Sequence, residues 1–246
     1  MIAGGTIYTG MLNLKHKVFG ILSALLLATT LPTHAQPDAC GTNGVSLDHV
    51  IWAVPNLDDY VERFTKLTSI EPIYGGEHTN GVTANYLVSL GPCTYLEIVG
   101  PKKGALLADL GEQAKSYSRE HMAGFAFSAD LDAPPEMLQA LNLGERRTGG
   151  RVKPDGSALS WQTASLSDLN LGEDKFQFVI NWLSEPHPAT TSAKGASIIQ
   201  LTIAHPQSVR LRGVVESNNL PIVLQPAGKP NIWLTISTPN GSVVLR

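Results

Sequence analysis

The chain has 246 residues and a formal net charge of -3, with its 18 lysines and arginines scattered along its length. That distribution excludes the clustered basic footprint of a nucleic-acid surface. Apolar residues make up 43% of the chain, enough to bury one domain or two small modules.

Lys15 and Lys17 precede an almost continuously apolar run over 18–28, and Thr33-His34-Ala35 ends in the small residue a signal peptidase prefers. The run is too short for a stable membrane span. Residues 1–35 are therefore expected to be a signal peptide, with Met11 an alternative start. The mature chain would begin near Gln36, in the periplasm or outside the cell. An uncleaved anchor is the alternative, as is a lipid-modified Cys40, which Pro37 and Asp38 disfavour. No second long apolar segment follows, so no membrane contact is expected after cleavage.

Along 47–54, Leu47, His49, Ile51 and Ala53 alternate with Asp48, Val50, Trp52 and Val54, the period of a strand. Asn56, with Asp59 three residues on, is a helix N-cap. Leu57, Tyr60, Val61, Phe64 and Leu67 follow as one helical stripe. Gly75-Gly76 breaks the chain, and 83–90 and 94–99 read as strands joined at Gly91-Pro92. In the second of these, Tyr95, Glu97 and Val99 share one face while Leu96 and Ile98 share the other.

The polar stretch 112–120 reads as a short helix and 124–129 as a strand. Residues 134–141 read as a helix with prolines at its start, where the missing N–H costs nothing. Strands at 158–164 and 176–183 follow the turn signals Gly149-Gly150 and Pro154-Asp155-Gly156, and 186–196 reads as a linker. A shorter segment closes the chain: strand 198–204, helix 208–218, strand 221–225, then a hairpin of 231–237 and 242–245 around Pro239-Asn240-Gly241. The order strand, helix, strands thus recurs three times.

If Val50, Trp52, Leu96 and Ile98 face the helix, His49 and Glu97 point the other way together. An imidazole and a carboxylate so placed suit a divalent metal. They equally suit a hydrogen-bonded pair in a polar pocket without one. Cys40 and Cys93 form an even pair, expected as one disulfide in an oxidising compartment; two free thiols are the alternative.

Several stretches together resemble the glyoxalase-like domain of the vicinal oxygen chelate (glyoxalase/bleomycin resistance/dioxygenase) superfamily. They are Leu47-Asp48-His49-Val50, Val54-Pro55-Asn56-Leu57-Asp58, Gly75-Gly76-Glu77-His78, then Gly81, Thr83 and Asn85. Leu87-Val88-Ser89-Leu90-Gly91, Tyr95-Leu96-Glu97-Ile98 and, more loosely, Phe178-Val179-Ile180-Asn181-Trp182 with His187-Pro188 complete them. The resemblance implies an α+β fold of paired βαβββ modules, with curled mixed sheets forming a cup, helices outside and the site on the concave face. The domain would span 45–188, as modules 45–101 and 121–185, with 197–246 a partial C-terminal βαβββ-like module.

Members of the superfamily hold a divalent metal through histidine and glutamate from both modules, polarising a substrate with adjacent oxygens. Others have lost the metal and only bind small molecules. Carried onto this chain, the resemblance implies one divalent ion (Zn, Mn, Fe or Ni) on His49 and Glu97. Aligning the modules sets Ala123 against His49 and Ile180 against Glu97, neither of them a ligand. His121 is then the nearest substitute and His187 a second candidate. His78 is the candidate acid or base, and Asn85, Tyr95 and Trp182 are candidate substrate contacts. Each also has an ordinary structural reading, the one preferred for His205. The function expected is an exported protein binding a small oxygen-rich molecule in the cup, with metal-dependent lyase, isomerase or hydrolase-type chemistry. The alternatives are a metal-free small-molecule binding or sequestering protein without catalysis, and an interaction module whose cup is filled by its own side chains. A homodimer is left open.

Overall fold

The computed structural model describes residues 40, 44–133, 138, 141–167 and 169–246. The expected signal segment lies outside the described residues, as does most of the helix expected over 134–141. The described residues fall in one compact unit. Among the described residues no helix is long and apolar enough to cross a membrane.

The first module is β1 (Ser46–Ala53), α1 (Leu57–Thr68), β2 (Ile73–His78), β3 (Thr83–Ser89) and β4 (Tyr95–Pro101). The Asn56 side chain accepts the Asp59 N–H at 3.2 Å, satisfying an end donor of α1. Asp58 and Asp59 complement the positive end of the helix, and Ser69 ends it in the left-handed region at φ 58°. The buried row runs Leu57, Tyr60, Phe64, Thr68. Leu67, expected in the stripe, is instead 53% exposed. Thr68 takes the inward position, its hydroxyl donating to the Phe64 carbonyl at 2.7 Å. Val50, Trp52, Leu96 and Ile98 pack with Leu57, Tyr60 and Phe64 in one core cluster. Complete burial of a side chain such as Phe64 is worth roughly 2–3 kcal/mol.

The second module adds β5 (His121–Ser128), β6 (Leu143–Val152), β7 (Ala158–Leu166) and β8 (Phe176–Trp182). Its strands join those of the first in a closed, curled sheet of eight, ordered β1-β4-β3-β2-β6-β7-β8-β5. Antiparallel seams β1–β5 and β2–β6 connect the halves. A 3₁₀ segment, Leu107–Tyr117, kinked at Gly111, links the modules and stands where a helix over 112–120 was expected. Its Leu110 and Tyr117 pack against the inward-facing Ile51, Ala53, Val99 and Ala123, which fills that part of the interior.

Two readings of local structure need correction. Gly75-Gly76 does not break the chain but lies inside β2, where Gly76 at φ 122° accompanies a register shift against β3. A glycine there can take the positive φ that a bulged strand requires. Nor is 186–196 a free linker. It carries the short helix α2 (Pro188–Thr191), and Ala193 bridges to Val88 of β3. His187, Ala189 and Ser192 are buried there.

The rest of the chain forms a separate four-stranded sheet, ordered β10-β9-β11-β12. Its strands are β9 (Ser197–Ala204), β10 (Ile222–Gln225), β11 (Asn231–Thr238) and β12 (Gly241–Leu245), with α3 (Arg212–Ser217) between β9 and β10. Leu201, Ile203, Ile232 and Leu234 from this sheet share one apolar cluster with Phe125 and Phe127 of β5. The third segment therefore covers the outer face of β5.

Candidate functional site

Strict alternation along β1 would set Asp48 and His49 on opposite faces. The β1–β5 register instead shifts between Leu47 and His49: Leu47 pairs with Phe127 and His49 with Ala126. Asp48 is the extra residue of this β-bulge. Leu47 consequently joins the outer core with Val50 and Trp52, leaving the face expected for it. Asp48 and His49 meet side by side, the His49 Nδ1–H donating to Asp48 Oδ1 at 2.6 Å.

Asp48 is fully buried and accepts two more hydrogen bonds at Oδ2, from Trp182 Nε1 at 2.9 Å and His187 Nε2 at 3.0 Å. Burial alone would raise its carboxyl. The hydrogen bonds from His187 and His49, with their charge, outweigh burial and hold it at about 2. The Ala189 N–H donates to His187 Nδ1 at 3.2 Å, which leaves the His187 proton on Nε2.

Glu97 lies on β4, its backbone level with Ile51 of β1 and Leu87 of β3. Its Oε2 is 3.8 Å from His49 Nε2 and its Oε1 is 3.4 Å from His78 Nε2. Asn85 Nδ2 donates to Oε1 at 2.6 Å. Burial opposes ionisation here as well, but the His78 and Asn85 hydrogen bonds and the two nearby imidazoles bring Glu97 down to about 2. His78 Nδ1 lies 2.9 Å from the Thr83 hydroxyl, and Asn85 Nδ2 lies 3.4 Å from His78 Nε2. The Nε2 atoms of both His49 and His78 thus face the ionised Glu97 carboxylate.

These groups line a cavity of about 110 Å³ with Arg151, Trp161, Phe178, Ile180 and Trp182. Tyr95 stacks on the His49 ring at 4.9 Å between centroids, and Phe178 meets that ring edge-on at 5.6 Å. Burial, with the charges of Asp48 and Glu97, pushes the Tyr95 phenol well above its ordinary value, so it stays protonated. Of the residues singled out from sequence, His49, His78, Asn85, Tyr95, Glu97 and Trp182 all come together here.

His121 does not. It sits at the start of β5, level with Ala53, with Nδ1 3.1 Å from the Arg119 carbonyl and Nε2 3.3 Å from the Asp174 carbonyl. Across the β1–β5 seam His49 is paired with Ala126, which offers no donor. His205 is held by the Asn170 carbonyl and the Gln207 N–H.

A catalytic zinc-type site takes three protein donors at about 2 Å. As placed, no group of three His, Cys, Asp or Glu side chains among the described residues is drawn together at such distances. His49, His78 and Glu97 are the residues that would hold a divalent ion if one were bound.

Sequence reasoning missed Arg151 and the part played by Asp48. Arg151 follows Gly149-Gly150, a stretch that reads only as turn punctuation. Asp48 alternates away from His49 in any ideal strand. Cys40 and Cys93 are joined by a disulfide with Cα atoms 5.2 Å apart, tying residue 40 to the chain just before β4.

A family model described as a glyoxalase-like domain matches residues 47–217. A search of curated proteins finds no match. Among solved structures, a hypothetical protein from Staphylococcus aureus superposes with a TM-score of 0.53 at 16% identity, over 81% of this chain and 84% of that one. A methylmalonyl-CoA epimerase from Streptomyces coelicolor, in complex with 2-nitronate-propionyl-CoA, aligns with a TM-score of 0.38 at 14% identity, over 58% of this chain and 100% of its own. The same enzyme from Mycobacterium tuberculosis aligns with a TM-score of 0.37 at 16% identity, over 63% and 97%. At 16% identity the likeness to the Staphylococcus aureus protein is one of fold.

Proposed function

Because this chain belongs to the glyoxalase-like domain family of the vicinal oxygen chelate superfamily, we propose that it binds a small oxygen-rich molecule in the barrel cavity and moves a proton on it. The observation that carries this reading is the pair of imidazole Nε2 atoms turned toward one buried carboxylate in a cavity. His78 is the acid or base: a proton accepted at its Nε2 sits 3.4 Å from the ionised Glu97. Asp48 holds His49 by Nδ1, and Asn85 offers its amide beside the same carboxylate. Export is part of the proposal, supported by the apolar run over 18–28 and by the cysteine pair.

A second reading, binding without catalysis, is favoured by Ala126 and Ile180, apolar groups where the second module has no ligand to offer. Proton exchange separates the two. Protein dialysed against a chelator is mixed in D₂O with hydroxyacetone, dihydroxyacetone, pyruvate or lactate, and deuterium at carbon is followed by NMR. Catalysed exchange is expected for at least one compound, and His78→Gln should slow it by roughly 10²–10⁴-fold. Binding at the cavity without exchange would establish the second reading and overturn the first.

A further inference from the structure

Arg151 of β6 is only 3% exposed, and its backbone pairs with His78 across the β2–β6 seam. Nη1 donates to Asn85 Oδ1 at 3.0 Å. Nε is buried and has no hydrogen-bond partner among the described residues. No carboxylate of the described residues is ion-paired with this guanidinium.

Asn85 bridges Arg151 and Glu97, and its orientation follows from these two partners. Glu97 only accepts and a guanidinium only donates, so Nδ2 faces Glu97 and Oδ1 faces Arg151. A Cβ at Gly75 would overlap Asn85 Oδ1 and lie 2.6 Å from Arg151 Nη1. Only glycine at position 75 lets the amide and the guanidinium lie this close to β2.

A cation buried without a counter-ion is strongly unfavourable unless something else supplies the charge. A guanidinium carries five N–H donors in a planar fork that matches a carboxylate bidentately. Both arguments call for an anion, and the fork favours a carboxylate. The cavity of about 110 Å³ is small beside the roughly 300–1,000 Å³ of drug-sized ligand sites, so the occupant has few carbons.

Resting on the small-molecule reading above, we infer that Arg151 anchors a carboxylate of the ligand, making the ligand class a short-chain carboxylic acid. The negative charge of Glu97 repels the ligand's carboxylate from its own side of the cavity. The acid group therefore takes the Arg151 end, and its neighbouring carbon or oxygen is left toward His78.

Formate and its uncharged analogue formamide are small enough to test this in any short-chain site. Histidine-ring spectra of the wild type are titrated with each probe, sodium chloride holding the ionic strength constant. The His49 and His78 signals are expected to respond to formate at concentrations at least tenfold lower than to formamide. Arg151→Lys keeps the charge but loses the fork, and it should abolish that preference; Arg151→Gln should do the same. Because the wild-type comparison needs no variant, poor folding of either substitution leaves the test intact. If formamide titrates as tightly as formate, the anchor is overturned while the small-molecule reading stands. Persistence of the formate preference in both variants would overturn the assignment to Arg151. If neither probe moves the ring signals of the wild type, both proposals fall.

Discussion

Asp48 is the residue on which the site's order depends. Three donors from three parts of the chain, His49, Trp182 and His187, converge on one carboxylate. An amide at this position offers one acceptor oxygen and turns N–H groups toward donors. The folded carboxyl sits at about 2, below its ordinary value of about 3.9. Its ionised form therefore favours folding above pH 4, and that contribution is lost as pH falls from 4 toward 2. Asp48→Asn is expected to be less stable than wild type at pH 7, with the gap narrowing by roughly 2 kcal/mol as pH drops from 5 to 2. Denaturant titrations at those pH values measure it, and a gap independent of pH would contradict it. Sequence alternation put Tyr95 and Glu97 on the inner face because β4 pairs regularly with both its neighbours. It misplaced Asp48 because a β-bulge depends on pairing with a distant strand, which leaves no local mark.

At the scale of elements, α1 and β4 were legible because capping residues and alternation act within a few positions. β2 was not, because its Gly75-Gly76 pair has a turn-like composition but serves close approach to Asn85 and Arg151. The stretch after β8 also misled, since proline-rich composition conceals the buried His187 and the bridge from Ala193 to β3. The Cys40–Cys93 bridge joins elements 53 residues apart in sequence. Loop closure over that span corresponds to about 4 kcal/mol in the chain-entropy account. A Cys40→Ser, Cys93→Ser double variant is expected to lose roughly 2–4 kcal/mol in denaturant unfolding, with the slope against denaturant showing whether the unfolded chain expands. No loss of stability would mean that the bridge merely decorates the chain before β1.

Over the whole molecule, the threefold recurrence of strand, helix and strands is readable because periodicity repeats it. Closure of the eight strands is not, since hydrogen-bonded edges carry no compositional signal. Closure nevertheless makes the site, bringing His49 from β1, His78 from β2, Asn85 from β3, Glu97 from β4 and Arg151 from β6 to one interior. The third segment supports that interior from outside through the apolar cluster shared with β5. The central claim is that Asp48 and Thr83 hold the two imidazoles so that both Nε2 atoms turn toward Glu97. Long-range ¹H–¹⁵N spectra of histidine-labelled wild-type and Glu97→Gln protein read this directly. Glu97→Gln is expected to move the Nε2 signals of both His49 and His78 more than their Nδ1 signals; an Nε2 signal left unmoved in either ring would contradict the arrangement.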